Sequence, residues 1–278
     1  MRIQRSTIAT VGAASAAAAA AVVFTHERNA RQAAERFAAA ALETLLNAID
    51  ANDADTGAHV RRVATYALIL ADAAGLDEHD KRLVEKVALF HDVGKIHEAL
   101  FDIIHDHREL TASERAAVLT HPQRGADVLA PLEAFYPELP QGVLAHHERW
   151  NGAGYPRGLK GSRIPLSARI IAIADTFDAI THSRRYSRER SAETARDIIL
   201  AGRGTEFDPH LVDLLLLPPV FKQITVAERE VELWKVPVKR RRTGEREKQV
   251  PDITFRWRPG RSGGRGQPAT DQPRRTER

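Results

Sequence analysis

The 278-residue sequence contains no cysteine. Disulfides, zinc–thiolate sites, iron–sulfur clusters and thiol nucleophiles are therefore excluded, and any metal must be held by imidazole and carboxylate. Strand-type alternation is also lacking. Between about residue 50 and residue 217 apolar positions recur at helical spacing, interrupted by Gly, Pro and Asn clusters, and no internal repeat appears. The expected fold class is all-α, with one helical domain over residues 50–217. A hydrophobic share of 43% and a charged share of 28% are ordinary for a globular chain, and the length allows one well-buried domain with extensions or two small domains. The formal charge of +4 gathers towards the C-terminus, so it says little about a catalytic domain.

Residues 1–25 form an apolar N-terminal segment in which residues 6–24 are rich in alanine. Their number is close to the roughly 20 needed to span a bilayer, although alanine is only weakly hydrophobic. A membrane anchor is the preferred reading, with a cleaved signal peptide and a soluble alanine-rich helix as alternatives. Positive charge flanks both ends, so orientation stays open. Residues 26–49 read as a helical linker: strong helix formers run from 29 to 49, with Phe37, Leu42, Leu45 and Leu46 on one stripe. After Pro218-Pro219 the character changes. Residues 239–242 are basic, 251–259 could hold a short strand, and 260–278 are rich in Gly, Pro and Arg. The expectation for residues 218–278 is a basic, largely disordered tail with no specific nucleic-acid partner.

The informative segment is 81–96, where Leu83, Val84, Val87 and Ala88 mark the buried face of a helix. His91 and Asp92 continue that face or lie next to it. Burying these groups is costly unless something compensates them, and a cation between them does so. His59 likewise leads a stripe of Val63, Ala67 and Leu70; Val143 lies one turn before His147, and Ile171 one turn before Asp175. A single such histidine is more often a hydrogen-bonded core residue than a ligand. Several on separate helices favour convergence on metal, which satisfies them together. His79, His105, His107 and His210 lie in polar surroundings and read as solvated. Adjacent helical residues diverge by about 100°, so His91 and Asp92 suit two neighbouring metals with the carboxylate as bridge. His146-His147 invites the same reading. Such a centre would bring the pKa of a bridging water to around 7 and neutralise charge on a phosphoryl group.

The order His59, His91-Asp92, Asp175 resembles the ligand pattern of the HD phosphohydrolase superfamily. Further segments resemble the HD-GYP family of cyclic di-GMP phosphodiesterases. These are His91-Asp92-Val93-Gly94-Lys95, His121-Pro122 with Gly125, and the run from His146-His147 through Gly154-Tyr155-Pro156. The likeness continues through Asp175, Phe177-Asp178-Ala179, Arg184 and Tyr186, to Gly204-Thr205-Glu206-Phe207-Asp208-Pro209, and covers nearly all of residues 53–213. The resemblance implies an HD-domain helical bundle and hydrolysis of cyclic di-GMP to the linear dinucleotide or GMP, through a metal-bridging hydroxide. It implies a two- or three-metal centre containing iron or manganese, with Asp55 the possible ligand of a third ion. His59, His91, Asp92 and Asp175 would hold the first, and Asp92 would bridge to a second held by His121, His146 and His147. Lys95 would reach a phosphate oxygen as part of the catalytic set, with Arg184 and Tyr155 as further substrate contacts. Because that substrate is intracellular, the catalytic domain is expected in the cytoplasm, tethered to the inner face of the membrane if residues 6–24 span it. The N-terminal helix could also support a homodimer.

This chain departs from the family pattern at four places. Asp55 stands four residues before His59, where three-metal members often carry glutamate, and a shorter carboxylate favours two metals over three. Asn151 replaces the usual aspartate, and Ser187 a lysine that often supports phosphate binding. After Lys95 the chain reads Ile96-His97-Glu98-Ala99-Leu100 in place of a Gly-Ile-Pro turn. That last departure favours one alternative, hydrolysis of another nucleotide or cyclic dinucleotide; a second alternative, a non-catalytic cyclic di-GMP-binding signalling protein, is disfavoured because no metal ligand is missing.

Overall fold

A computed structural model describes residues 3–96, 111–182 and 190–232, with side chains from Phe24 onward apart from Asn52, Ala54 and residues 230–232. Among the described residues the regular structure is helical, and the only β-type pairing is an isolated bridge between Arg203 and Phe207.

Helix α1 (Ile3–Asn52) is continuous over 50 residues. At about 1.5 Å rise per residue it would be roughly 75 Å long. Its last turns join the core through Ala38, Leu42 and Ile49, with Leu45 and Leu46 packed beside them. Phe37, expected on that stripe, is 75% exposed. It stands about 100° around the helix from Ala38, which occupies the buried position at the correct spacing from Leu42. Among the residues whose side chains are described, no single helix is long and apolar enough to cross a membrane.

Asp53 ends α1 and starts α2 (Ala54–Ala73): its extended backbone breaks the helix, and its carboxylate accepts from Asp55 N and Thr56 Oγ1. Helix α3 (Glu78–Phe90) begins at Asp77, which accepts from His79 N and Asp80 N, and leads into a 3-10 turn (Val93–Ile96). Then follow α4 (Ala112–Val118), opened by a reciprocal Thr111–Glu114 cap, α5 (His121–Leu129) and α6 (Leu139–Leu144). The apolar α7 (Leu166–Thr181) passes through the centre, and α8 (Ala192–Ala201) and α9 (Pro209–Leu215) complete this part. Leu70 of α2, Val84 and Val87 of α3 and Ile170, Ile171, Ile173 and Phe177 of α7 form the core, with Tyr66 edge-on to Phe177 at 5.2 Å between ring centroids.

Helix α10 (Pro218–Glu232) lies where the disordered tail was expected to begin. Val220 and Ile224, one turn apart, are buried in the same core. Pro218-Pro219 marks a helix start here rather than the end of folded structure, because proline lacks only an N–H that the first turn leaves unpaired anyway. The expected strand at 251–259 and the tail beyond it lie outside the described residues.

Candidate metal centre

Three of the candidate histidines sit where a helix ends. Terminal carbonyls of a helix have no intrahelical partner, and each ring uses one. His91 Nδ1 lies 2.7 Å from Ala88 O, His121 Nδ1 2.8 Å from Val118 O, and His146 Nδ1 2.6 Å from Val143 O, three residues back in every case. A carbonyl can only accept, so each Nδ1 carries the hydrogen and each Nε2 points onward as a bare lone pair. His59, in the second turn of α2, is also held through Nδ1, which lies 2.7 Å from Asp178 Oδ2 on α7. Burial opposes the charge on Asp178, but hydrogen bonds from His182, His59 and Arg62 outweigh it and hold the carboxyl well below the usual carboxylate range. These partners fix both tautomer and ring orientation.

The rings converge in two trios, His59–His91–Asp175 and His121–His146–His147, in each of which the potential ligand atoms lie within 4.8 Å of one another. Asp92 stands between them. Its Oδ2 is 3.5 Å from His91 Nε2 and 3.9 Å from His59 Nε2, while its Oδ1 is 3.4 Å from His121 Nε2 and 3.9 Å from His146 Nε2. One carboxylate oxygen therefore faces each trio. Asp175 Oδ1 lies 3.4 Å from His59 Nε2 on the side of the first.

This arrangement fits metal ions better than it fits hydrogen bonds. His121 Nε2 and His146 Nε2 face each other at 3.2 Å, and both rings have given their hydrogen to a carbonyl. Two lone pairs opposed at that distance repel unless a cation lies between them. Ligand nitrogens about 2.1 Å from one ion at right angles stand about 3 Å apart. His91 Nε2 and Asp92 Oδ1 are buried without a hydrogen-bond partner among the described residues, a state that is rare unless an ion or water completes the site. Burial, and then neighbouring histidines, hold His146 well below an ordinary imidazole and bring His147 down to about 4; burial also lowers His91. These rings are neutral ligands at neutral pH. Burial would raise Asp92, but Lys95, His91 and His121 outweigh it and keep the carboxylate ionised.

Close backbone approach brings the two halves together. A Cβ on Gly94 would overlap the His121 carbonyl oxygen and lie 2.7 Å from Gly125 N, so only glycine lets the turn after Asp92 pack on the start of α5. Lys95 Nζ lies 2.6 Å from Asp92 Oδ2 and is about a quarter exposed, with its ammonium beside the centre. Tyr155 stacks on His147 at 4.9 Å between ring centroids. Burial, followed by Asp92 and Asp175, pushes its hydroxyl up, so it remains a donor. Its loop is held by buried Glu148, whose carboxylate accepts from Arg157 N and Leu159 N, and a Cβ on Gly154 would overlap the backbone of residues 148 and 149. Asp55 is exposed, one turn before His59, and belongs to neither trio. Arg184, Ser187 and the segment after Ile96 lie outside the described residues. His79 and His210 are exposed.

Residues 43–211 match the family described as HD domain. This chain belongs to the HD domain family. The HD domain is 40% identical over 174 residues to the 3'3'-cGAMP-specific phosphodiesterase 2 of Vibrio cholerae, covering 62% of this chain and 33% of that protein. It is 38% identical over 177 residues to the cyclic di-GMP phosphodiesterase response regulator RpfG of Xanthomonas campestris, covering 63% of this chain and 46% of that protein. These relatives support the HD-GYP resemblance carried by the motifs. The chain spans less than half the length of either. A crystal structure of a cyclic GMP-AMP specific phosphodiesterase of V. cholerae is similar at 25% identity and a TM-score of 0.46, over 63% of this chain and 48% of that one.

Sequence reasoning missed Asp178, Arg62 and Glu148 as functional residues. Arg62 Nε and Nη2 both donate to the Asp178 carboxylate, so the pair forms one rigid support for His59. The available signal was spacing: Asp178 follows Asp175 by three residues on α7, which puts both carboxylates on neighbouring parts of one face.

Proposed function

We propose that this HD domain is a metal-dependent phosphodiesterase that hydrolyses cyclic di-GMP to the linear dinucleotide and on to GMP. The observation that carries the reading is Asp92, with one oxygen towards each trio. His59, His91 and Asp175 with Asp92 would hold one divalent ion, and His121, His146 and His147 with Asp92 a second. Mixed imidazole and carboxylate donors suit iron or manganese. When bound, such ions acidify water to give a nucleophile near neutral pH and neutralise phosphoryl charge.

The protein's own groups do the rest. Carbonyls hold the Nδ1 of His91, His121 and His146 and Asp178 holds that of His59, which orients these rings for their ions; Lys95 offers an ammonium to a phosphate oxygen, and Tyr155 offers a neutral hydroxyl beside His147. Two ions are favoured over three, since Asp55 is exposed and short. A second reading, hydrolysis of 3'3'-cGAMP, draws support from the relative that is 40% identical and carries that specificity in its name. In both readings the domain works in the cytoplasm, residues 6–24 tether it to the inner face of the membrane, and α1 offers a surface for a homodimer.

The test is turnover of cyclic di-GMP, 3'3'-cGAMP and linear dinucleotides by full-length protein loaded with iron or manganese. Cyclic di-GMP is expected to be consumed, and Asp92→Ala to abolish turnover while leaving the chain helical. Cleavage of 3'3'-cGAMP alone would establish the second reading. Tight binding of cyclic di-GMP without turnover, indifferent to metal, would make the domain a receptor and overturn both.

A further inference from the structure

A cavity of about 700 Å³ lies where the end of α7, the start of α8 and helix α10 meet, a size typical of small-molecule sites. Its described lining residues include none of the metal-centre residues. Arg190, Arg196, Lys222 and Arg229 line it against Glu193 and Glu228, so cations predominate. Arg196 is tied to Asp197 at 2.9 Å. Arg190 and Lys222 are exposed and have no ion pair among the described residues.

The wall contributes a second feature. His182 lines the cavity with its side chain only 10% exposed. Its Nδ1 is engaged inward, 3.2 Å from Asp178 Oδ1 and 3.1 Å from Thr181 Oγ1. Nε2 has no hydrogen-bond partner among the described residues and is left for whatever fills the space. A ring nitrogen that makes no protein hydrogen bond can accept one from a guest. Unpaired guanidinium and ammonium groups select phosphate oxygens, and a hydrogen phosphate also carries an O–H that Nε2 can accept.

We infer that this cavity is a second, metal-independent binding site for a small phosphate-bearing ligand, held by Arg190, Lys222 and the Nε2 edge of His182. Asp178 bonds both His182 and His59, so His182 lies two hydrogen bonds from a residue of the metal centre. The site stands on its own residues and does not depend on the hydrolytic reading above.

The probes are inorganic phosphate and GMP, titrated calorimetrically into the full-length, metal-loaded protein, its Asp92→Asn variant and an Arg190→Gln/Lys222→Gln variant. Binding of either probe is expected to survive Asp92→Asn and to weaken roughly tenfold or more in the double variant, the scale of losing charge-assisted hydrogen bonds. Both substituted residues are exposed, so the double variant should keep its fold. If Asp92→Asn protein is not helical by circular dichroism, chelator-treated wild type replaces it. Failure of both probes to bind once the metal centre is disabled would overturn the inference, as would unchanged affinity in the double variant.

Discussion

The Nε2 atoms of His121 and His146 face each other at 3.2 Å, each on a ring whose Nδ1 hydrogen is already given to a helix-end carbonyl. Neither ring can donate to the other. The contact is repulsive in the bare protein and becomes cohesive around a cation, so metal binding and local stability are linked.

Asp178 orients His59, and the other partners of its carboxylate, Arg62 and His182, belong to neither trio, so Asp178→Asn separates positioning from ligation. Loss of such a partner typically weakens metal affinity by about 10- to 100-fold. Competition against a chromogenic chelator should show that loss for one ion while the other keeps wild-type affinity. Equal weakening of both ions would mean that Asp178 supports the fold and not His59.

Gly94→Ala introduces a methyl where the backbone of α5 already lies. Overpacking of this kind costs about 1–3 kcal/mol. Denaturant unfolding should register that loss, and metal analysis should show depletion at the His121–His146–His147 trio. Full stability and full metal content would show that the close approach is not required.

Acid should destabilise the metal-free protein within a defined window. Burial, then His121, brings His147 down to about 4 from 6.5, and burial lowers His91 and His146 in the same direction. A folded-state value below the unfolded one means that the unfolded chain binds more protons between the two. The contribution is therefore complete above about pH 6.5 and declines as pH falls towards 4. The Tm of chelated protein should drop across that range, and bound metal should move the drop to lower pH. A Tm that stays level from pH 7 to 4.5 in chelated protein would contradict the assignment.

Much of this architecture was legible because helical periodicity reports burial directly. The row Leu83, Val84, Val87, Ala88 runs into His91 and Asp92, and all of these but Leu83 are buried. The roughly 100° between adjacent residues anticipated a carboxylate shared by two clusters, and Asp92 has an oxygen facing each. What periodicity could not supply was the partner of each ring. The carbonyl three residues back is available only because the helix stops there, and helix ends are the least certain part of a sequence reading. Asp178 was quoted only as part of a motif, since its partners Arg62 and His59 lie 116 and 119 residues away in the chain. The misplacement of Phe37 by one position came from following a stripe with too few apolar residues to fix its phase, and that of the folded boundary by the length of α10 from taking Pro218-Pro219 as a stop when it begins a helix.

Metal stoichiometry of wild type and Asp92→Ala, measured on purified full-length protein saturated with iron(II) or manganese(II), tests the central claim most directly. Two trios sharing one carboxylate predict two tightly held ions per chain in the wild type and one or none after Asp92→Ala, with helical content preserved. Two ions retained at unchanged affinity without Asp92, or a wild-type chain that holds fewer than two, would contradict it.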